Sequence, residues 1–279
     1  MGFFRTKRVV QTCVLSKRWE HLWKKLTSFK LDSSNFLNVE QFREFLSLFL
    51  SNRDGSMSLE NEGNTSKISR LSCIKNLASC ILHLACVIFR TSGRDYPEPF
   101  STCKMLNTLV VEDCFVTGLY ICNSMLTSLT IVSVNSHDNA AYYHKIVLCT
   151  PRLSSLNTKG FLVHEISSNC KLLYLEEVNF DVTCSFRDFS RKGLVLVSWM
   201  KVLANVTTMT LSSYTIEILN VLLFHHSTRT NLPCFARLNL LKVNLGPLSR
   251  ITSNKNVFRI VGHLHQYSPP TRIDIIRHA

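Results

Sequence analysis

The chain has 279 residues, a formal net charge of +13, and 46% hydrophobic against 18% charged residues. This balance is typical of a folded protein with one sizeable domain and a small one, and it excludes extended disorder over most of the chain. The apolar runs are far shorter than the roughly 20 residues that cross a bilayer, so we expect no membrane-spanning segment.

The first predicted elements are two short, basic helices within residues 6–26. One helix face carries Leu15, Trp19, Leu22, Trp23 and Leu26, and a similar stripe upstream carries Val10, Cys13 and Val14. Residues 1–30 hold eight Lys or Arg against the single acidic Glu20, which is +7 of the total charge. Such a patch can bind phosphates, steer the chain to an acidic protein surface or be a solvated helix face. Tryptophans at core or interface spacing favour a protein partner over nucleic acid.

Residues 27–105 follow with a less regular pattern. The sequence predicts a strand at 29–32, an apolar helical stripe within 39–50, a polar surface loop at 54–66 and an early repeat strand at 81–89.

Repetition is the main feature downstream. Leu106-x-x-Leu109-x-Val111-x-x-Cys114 recurs after 20 residues as Leu126-x-x-Leu129-x-Ile131-x-x-Val134. The pattern is continued by Leu153-x-x-Leu156 and Leu172-x-x-Leu175, and more loosely by Val206-x-x-Met209-x-Leu211 and Phe235-x-x-Leu238-x-Leu240. This is the leucine-rich-repeat template, in which short parallel strands share one core because no unit can bury its apolar face alone. Helical stripes at 196–203 and 216–223 predict helices on the convex side.

No catalytic, cofactor-binding or metal-binding residues are predicted. The eleven cysteines form no C-x-x-C pair, and the close histidine pairs, His225-His226 and His263-x-His265, have no carboxylate at ligand spacing. Nucleophile-elbow, phosphate-loop and H-E-x-x-H motifs are missing from the sequence, so we expect a protein that is not an enzyme. We expect the cysteines to be reduced thiols in a cytoplasmic or nuclear protein.

The segment TKRVVQTCVLSKRWEHLW, residues 6–23, resembles the second half of the F-box of plant F-box proteins. The segments LLYLEEVNFDV and LPCFARLNLLKV resemble the repeats of plant F-box/leucine-rich-repeat proteins of the FBD type. From this resemblance we expect an α/β fold, an irregular leucine-rich-repeat solenoid preceded by a small helical partial F-box. The expected domains are a partial F-box at 1–28, a connecting region at 29–80 and repeats at 81–279. The first half of the F-box and the C-terminal FBD region are expected to be missing.

The resemblance implies a non-catalytic substrate receptor. In that family the F-box docks on a Skp-type adaptor, which joins a cullin-RING ubiquitin ligase, and the repeats select the protein to be ubiquitinated for proteasomal degradation. The adaptor-binding candidates are Val10, Val14, Leu15, Trp19, Leu22 and Trp23. The target-binding candidates, on the concave face of the strands, are Asn107, Thr108, Val110, Thr127, Ser128 and Thr130. The alternative is a repeat protein that binds its target without recruiting the ligase, because a shortened F-box has lost apolar contacts with the adaptor.

Overall fold

The computed structural model describes residues 28–32, 41, 80–89, 98–101, 103–116, 118–134, 144–162, 164–183, 189–225, 232–246, 254–266 and 271–277. These residues form an α/β structure in which short parallel strands outnumber the helices, compatible with a repeat fold. This confirms the predicted α/β class. The basic helices predicted within 6–26, the residues of the apolar stripe within 39–50 and the loop at 54–66 lie outside the described residues.

The described residues contain fourteen strands and three helices, numbered in chain order. The strands are β1 Ser28–Asp32, β2 Cys80–Ala85, β3 Ile88–Phe89, β4 Leu106–Glu112, β5 Phe115–Val116, β6 Gly118–Cys122, β7 Ser128–Ser133, β8 His144–Cys149, β9 Ser155–Phe161, β10 His164–Ser168, β11 Glu177–Thr183, β12 Thr208–Ser212, β13 Leu240–Leu245 and β14 Arg272–Arg277. The helices are α1 Phe189–Val202, α2 Ser213–His225 and α3 Asn254–Gln266.

Two compact units divide the described residues, one drawn from 1–129 and 144–151, the other from 130–143 and 152–279. In the first unit β1, β2 and β4 are consecutive parallel neighbours, β3 pairs with β5, and β6 pairs with β8. In the second unit β9, β11, β12, β13 and β14 follow one another as parallel neighbours. Strand β7 begins in the first unit and belongs to the second from Thr130 onward.

Alternation along each strand determines which side chains form the core. Strand β11 buries Val178, Phe180 and Val182 and leaves the residues between them half-buried. Burying one such side chain fully contributes about 1.5–3 kcal/mol. Because successive side chains point to opposite faces, a slip of one residue would turn all three to solvent, so the register is strongly specified.

Backbone hydrogen bonds connect the starts of neighbouring strands. A carbonyl just before a strand, or at the second residue of β4, accepts from an amide at or just before the start of the next strand. The pairs are Thr127 N–H to Asn107 O at 2.9 Å, Glu176 N–H to Ser154 O at 2.9 Å, Thr207 N–H to Glu176 O at 3.1 Å, Asn239 N–H to Thr207 O at 2.8 Å and Arg272 N–H to Asn239 O at 2.9 Å. The repeats therefore differ in length while their strands start at equivalent places.

The register of two repeats differs from the prediction. Leu156 pairs with Val178 and Met209 pairs with Leu241, so the patterns assigned to Leu172-x-x-Leu175 and Phe235-x-x-Leu238 begin three residues too early. Leu172 lies in a turn closed by the hydrogen bond from Leu175 N–H to Leu172 O, 3.3 Å. Leucine recurring at every third position fits both registers, and only the alternation of buried residues along the strand distinguishes them.

A left-handed residue recurs where the strands end. Asp113, with φ 47°, follows Leu109 and Val111 at the spacing by which Gly160, with φ 84°, follows Leu156 and Thr158. Cys86, with φ 55°, comes after Ala85, the register partner of Glu112, and so matches Asp113. At Gly160 the requirement is also steric, because an added Cβ would lie 2.1 Å from the backbone oxygen of Ser133.

Helices cover the core face of the second unit. The predicted stripes at 196–203 and 216–223 fall on α1, with one residue beyond it, and on α2. Helix α1 packs on β10 and α2, while α2 also packs on β11, β12, β13 and α3. The buried indole of Trp199 donates to the carbonyl of His164 at 2.9 Å. The buried hydroxyl of Thr215 donates to the carbonyl of Phe180 at 2.7 Å, which fixes the start of α2 to β11.

Strand β14 has β13 as its one neighbour among the described strands. Its Ile273 and Ile275 are the register partners of the buried Leu241 and Val243, yet they are 39% and 36% exposed. Within the described part of the chain, no helix combines the length and apolar character needed to cross a membrane.

We predict that Gly160→Ala destabilises the protein. The left-handed backbone costs an L-residue about 1–2 kcal/mol, and the contact with the Ser133 carbonyl adds to this cost. Denaturant unfolding, followed by circular dichroism, measures the change.

Gly262→Ala is the matched control, because Gly262 is exposed in α3 and an added Cβ would meet nothing within 4 Å. This substitution should stabilise the protein by about 0.5–1 kcal/mol, since alanine loses less backbone entropy in a helix. An unfolding midpoint for Gly160→Ala at or above that of the unmodified protein would contradict the geometry at Gly160.

Candidate functional site

The predicted target-binding residues Thr108 and Val110 lie on the face of β4 that points away from the core. In this strand Leu109 and Val111 are buried, and the residues on either side of each are half-buried. The register with β2 places Ile81 beside Thr108 and His83 beside Val110. The structure therefore brings residues of two strands together on one outer face of the first unit.

An ionisable pair on this face was missed in the sequence. The Nε2 of His83 lies 2.5 Å from the Oε2 of Glu112, a distance at which the ring N–H donates to the carboxylate. The two side chains are 12% and 30% exposed. The available signal was alternation, because Leu82 and Leu84 are the apolar positions of β2 and the histidine between them must point to the opposite face.

Asn107 and Thr127 are placed differently from the other candidates. Asn107 sits at a register shift between β2 and β4, and the Oδ1 of its side chain is buried. Its backbone carbonyl accepts hydrogen bonds from both the amide and the hydroxyl of Thr127, at 2.9 and 3.1 Å. These contacts connect one repeat to the next, so they fix the strand that carries the outward residues.

The remaining candidates, Ser128 and Thr130, alternate with the buried Leu129 and Ile131 along β7. Both are half-buried, and they share the face of β7 that points away from its buried residues. Ser128 belongs to the first unit and Thr130 to the second. The target-binding role of the six candidates remains a prediction.

The second unit carries a row of polar residues that the sequence reading did not single out. Asn157, Asn179, Thr210, Lys242 and Asp274 are consecutive register partners across β9, β11, β12, β13 and β14. All five are half-buried, and each lies between residues of its strand that point to the core face. We call these five residues the polar row.

The residues of the polar row hold the same position in their repeats as Val110 and Thr130, two of the predicted target-binding residues. Asn157 stands between Leu156 and Thr158, just as Val110 stands between Leu109 and Val111 and as Thr130 stands between Leu129 and Ile131. The polar row could therefore have been found in the sequence from the residue between the two core-facing positions of each strand. In the repeats that carry Asn179 and Lys242 this signal was hidden by the register error described above.

The charges around the polar row are of mixed sign. Lys242 is the register partner of Asp274, and Lys159 is the partner of Asp181. The Nε of Arg272 donates to the Oδ1 of Asp274 at 3.0 Å, but Arg272 is 77% exposed, and such a pair contributes only about 0–1 kcal/mol. Amides, hydroxyls and both signs of charge suit hydrogen bonding to a polypeptide better than a uniform phosphate contact.

The adaptor-binding candidates Val10, Val14, Leu15, Trp19, Leu22 and Trp23 lie outside the described residues. Among the residues that the structure does describe, no group of three or more His, Cys, Asp or Glu side chains is arranged to hold a metal ion. No disulfide joins the cysteines whose side chains are described.

Cys114 is buried and contacts the backbone of two strands. Its thiol lies 3.5 Å from the carbonyl oxygen of Leu84 in the neighbouring repeat and 3.4 Å from that of Glu112, both within reach of a weak S–H hydrogen bond. Burial is the main cause that raises the pKa of this thiol from 9.0 to about 12. A protonated thiol can donate to these carbonyls, whereas a thiolate cannot.

Comparison with known proteins adds a family context. An FBD-associated F-box protein of Arabidopsis thaliana is 24% identical over 142 residues, 48% of this chain and 32% of the relative. A second FBD-associated F-box protein of this plant is 30% identical over 120 residues, covering 41% and 25%, and an F-box/LRR-repeat protein is 35% identical over 81 residues, covering 28% and 13%. The chain is similar to plant F-box/leucine-rich-repeat proteins.

This similarity confirms the predicted resemblance at the level of the family names. The chain spans 32% or less of the length of these relatives. No protein-family model matches the chain, and no solved structure gives a significant match. The two expected shortened ends remain predictions.

We predict that Cys114 resists alkylation in the folded protein. At neutral pH a thiol with a pKa of about 12 holds about a thousandth of the thiolate that a pKa of 9.0 would give. Iodoacetamide labelling followed by peptide mass spectrometry should therefore modify the exposed Cys86 and Cys234 well before Cys114. Denaturant should remove the protection, and equal labelling of the three thiols in the native protein would contradict it.

Proposed function

We propose that this chain is the substrate-recognition subunit of a Skp-cullin-F-box type ubiquitin ligase. The similarity to F-box/leucine-rich-repeat proteins carries the proposal. In this role the chain has no catalytic residues and acts by holding a target protein near the ligase, which marks it for proteasomal degradation. Its working compartment is the cytoplasm or the nucleus.

The parallel strands are proposed to stack as a leucine-rich-repeat solenoid. Two observations support this arrangement. Similar backbone hydrogen bonds join the starts of successive strands, although 20 residues separate Asn107 from Thr127 and 33 separate Asn239 from Arg272. Left-handed residues also recur at the strand ends. Repeats of unequal length whose strands start with similar hydrogen bonds are expected of an irregular solenoid.

Target binding is assigned to the outer faces of the strands. Thr108, Val110 and the His83–Glu112 pair lie on one such face in the first unit, and the polar row lies on another in the second. Strands held in register present side chains from different repeats at fixed spacing, so contacts with a folded partner need little further ordering. The target is a protein that offers hydrogen-bonding groups and charges of both signs.

Adaptor binding is assigned to the apolar stripe of residues 6–26. Its tryptophans and leucines have the composition of a binding hot spot, and its basic residues would steer it to an acidic partner. If this segment binds no adaptor, the second function remains, which is target binding without delivery to the ligase. The two functions are separated by measuring adaptor binding directly.

We predict that the full chain binds a plant Skp-type adaptor and that Trp23→Ala weakens the complex. Removing a buried interface tryptophan costs about 2 kcal/mol or more, which is roughly thirtyfold in Kd. Isothermal titration calorimetry with purified adaptor measures the affinity.

Lys25→Ala is the matched control in the same segment, since Lys25 lies off the apolar stripe. It should change the salt dependence of binding more than the affinity. If the unmodified chain shows no binding at micromolar concentration, the ligase role fails and target binding alone remains.

We predict that Thr210→Arg abolishes target capture. A long charged side chain in the middle of the polar row would prevent close approach of a partner, whereas the half-buried position tolerates the stem of arginine. Affinity purification from plant cells with quantitative mass spectrometry compares the proteins captured by the two forms, and thermal unfolding shows that the variant is folded.

Lys201→Glu provides the control for target capture, because Lys201 is exposed on α1, away from the outer face of the strands. Its captured proteins should match those of the unmodified chain. Loss of capture with Lys201→Glu and normal capture with Thr210→Arg would move the binding site to the helices.

A further inference from the structure

Two cysteines meet at the last rung of the parallel pair β6–β8. Cys122 is the register partner of Cys149, following the pair Ile121 and Leu148. Neighbouring strands lie about 4.8 Å apart, and a disulfide requires Cα atoms about 4.4–6.8 Å apart. The two cysteines can therefore be joined without separating the strands.

Their side chains share one face and are accessible. Ile121 and Leu148 are fully buried, and because side chains alternate along a strand, Cys122 and Cys149 point to the other side. Both cysteines are half-buried, so a small solute can reach them. The neighbouring thiol of Cys149 and the carboxyl group of Glu98 are both close enough to contribute to a raised pKa of the Cys122 thiol.

The ends of both strands are fixed by buried polar contacts. The amide of Asn123 donates to the carbonyl of Cys149 at 3.1 Å. The side chain of Asn123 is buried, and its Nδ2 donates to the carbonyl oxygens of Phe100 and Cys103 at 2.9 and 2.8 Å. Separating the thiols would break the bond between the Asn123 amide and the Cys149 carbonyl and leave buried polar groups unsatisfied, which is unfavourable.

We propose that Cys122 and Cys149 form an oxidative modification site, closed to a disulfide by a hydroperoxide. One thiolate attacks a peroxide oxygen, which breaks the O–O bond and leaves a sulfenic acid and the released hydroxide or alkoxide. The second thiol then displaces the sulfenic hydroxyl as water and forms the S–S bond. In total the two thiols lose two protons and two electrons, and hydrogen peroxide becomes two molecules of water.

The site is reduced at rest and returns to that state easily. Burial, followed by the hydrogen bonds with Glu98 and Cys149, raises the pKa of Cys122 to about 12, so at neutral pH its thiol is protonated and reacts slowly. Both cysteines are half-buried, so a small thiol can reach the bond and reduce it by exchange. Oxidation therefore requires sustained peroxide and is reversed by cellular thiols.

The test is peroxide treatment of the purified full chain, followed by alkylation and non-reducing digestion with trypsin and chymotrypsin. Cleavage after Phe115 separates Cys114 from Cys122, so the bond can be located by mass spectrometry. The expected result is a peptide pair joining Cys122 to Cys149, lighter by two hydrogens than the two peptides alone. Reduced glutathione should remove it.

Cys122→Ser and Cys149→Ser should each lose this peptide pair, with circular dichroism showing that the fold is kept. Cys170→Ser is the control, because Cys170 is also half-buried but is not a register partner of another cysteine, and it should retain the bond. Bonds to other cysteines, irreversible acids at these two positions, or full alkylation of both thiols after treatment would overturn the proposal. None of these outcomes depends on adaptor or target binding.

Discussion

The backbone carbonyls at the strand starts hold the second unit in register. Ser154, Glu176 and Thr207 each accept hydrogen bonds from the beginning of the next strand. A short strand with one apolar face cannot be buried alone, and pairing is useful only if the apolar faces coincide. These hydrogen bonds align the apolar faces of neighbouring strands at one end of each strand. The buried rows that contain Val178 and Phe180 follow from this alignment. The segments between strands are then free to vary in length.

The same register that forms the core also forms the outer surface. When Val178 aligns with Met209, Asn179 aligns with Thr210 on the opposite face. The polar row is therefore a consequence of core packing. Substitutions on it can change the outer surface without changing the core, because alternation separates the two sets of side chains. The proposed target-binding surface can therefore diversify while its scaffold stays constant.

The sequence predicted some of these features and missed others for identifiable reasons. The strand at Leu106, Leu109 and Val111 was predicted correctly because its apolar residues are close together in the sequence. The helical stripes were recognised for the same reason. The register at Leu172 was ambiguous because leucine recurs there at every third position. The His83–Glu112 pair and the meeting of Cys122 with Cys149 depend on which residues become register partners across loops of irregular length. Spacing within a single sequence does not contain that information.

The exposed isoleucines of β14 affect how the protein behaves at high concentration. Among the described strands β14 lies at the edge of its sheet, and an edge strand with apolar side chains is a template for another chain to add to. Arg272 and Asp274 alternate with Ile273 and Ile275, so a second copy of this strand would have to align its charges as well as its backbone. Ionic strength should then control self-association: salt that screens these charges removes the constraint on alignment and leaves the apolar edge to aggregate.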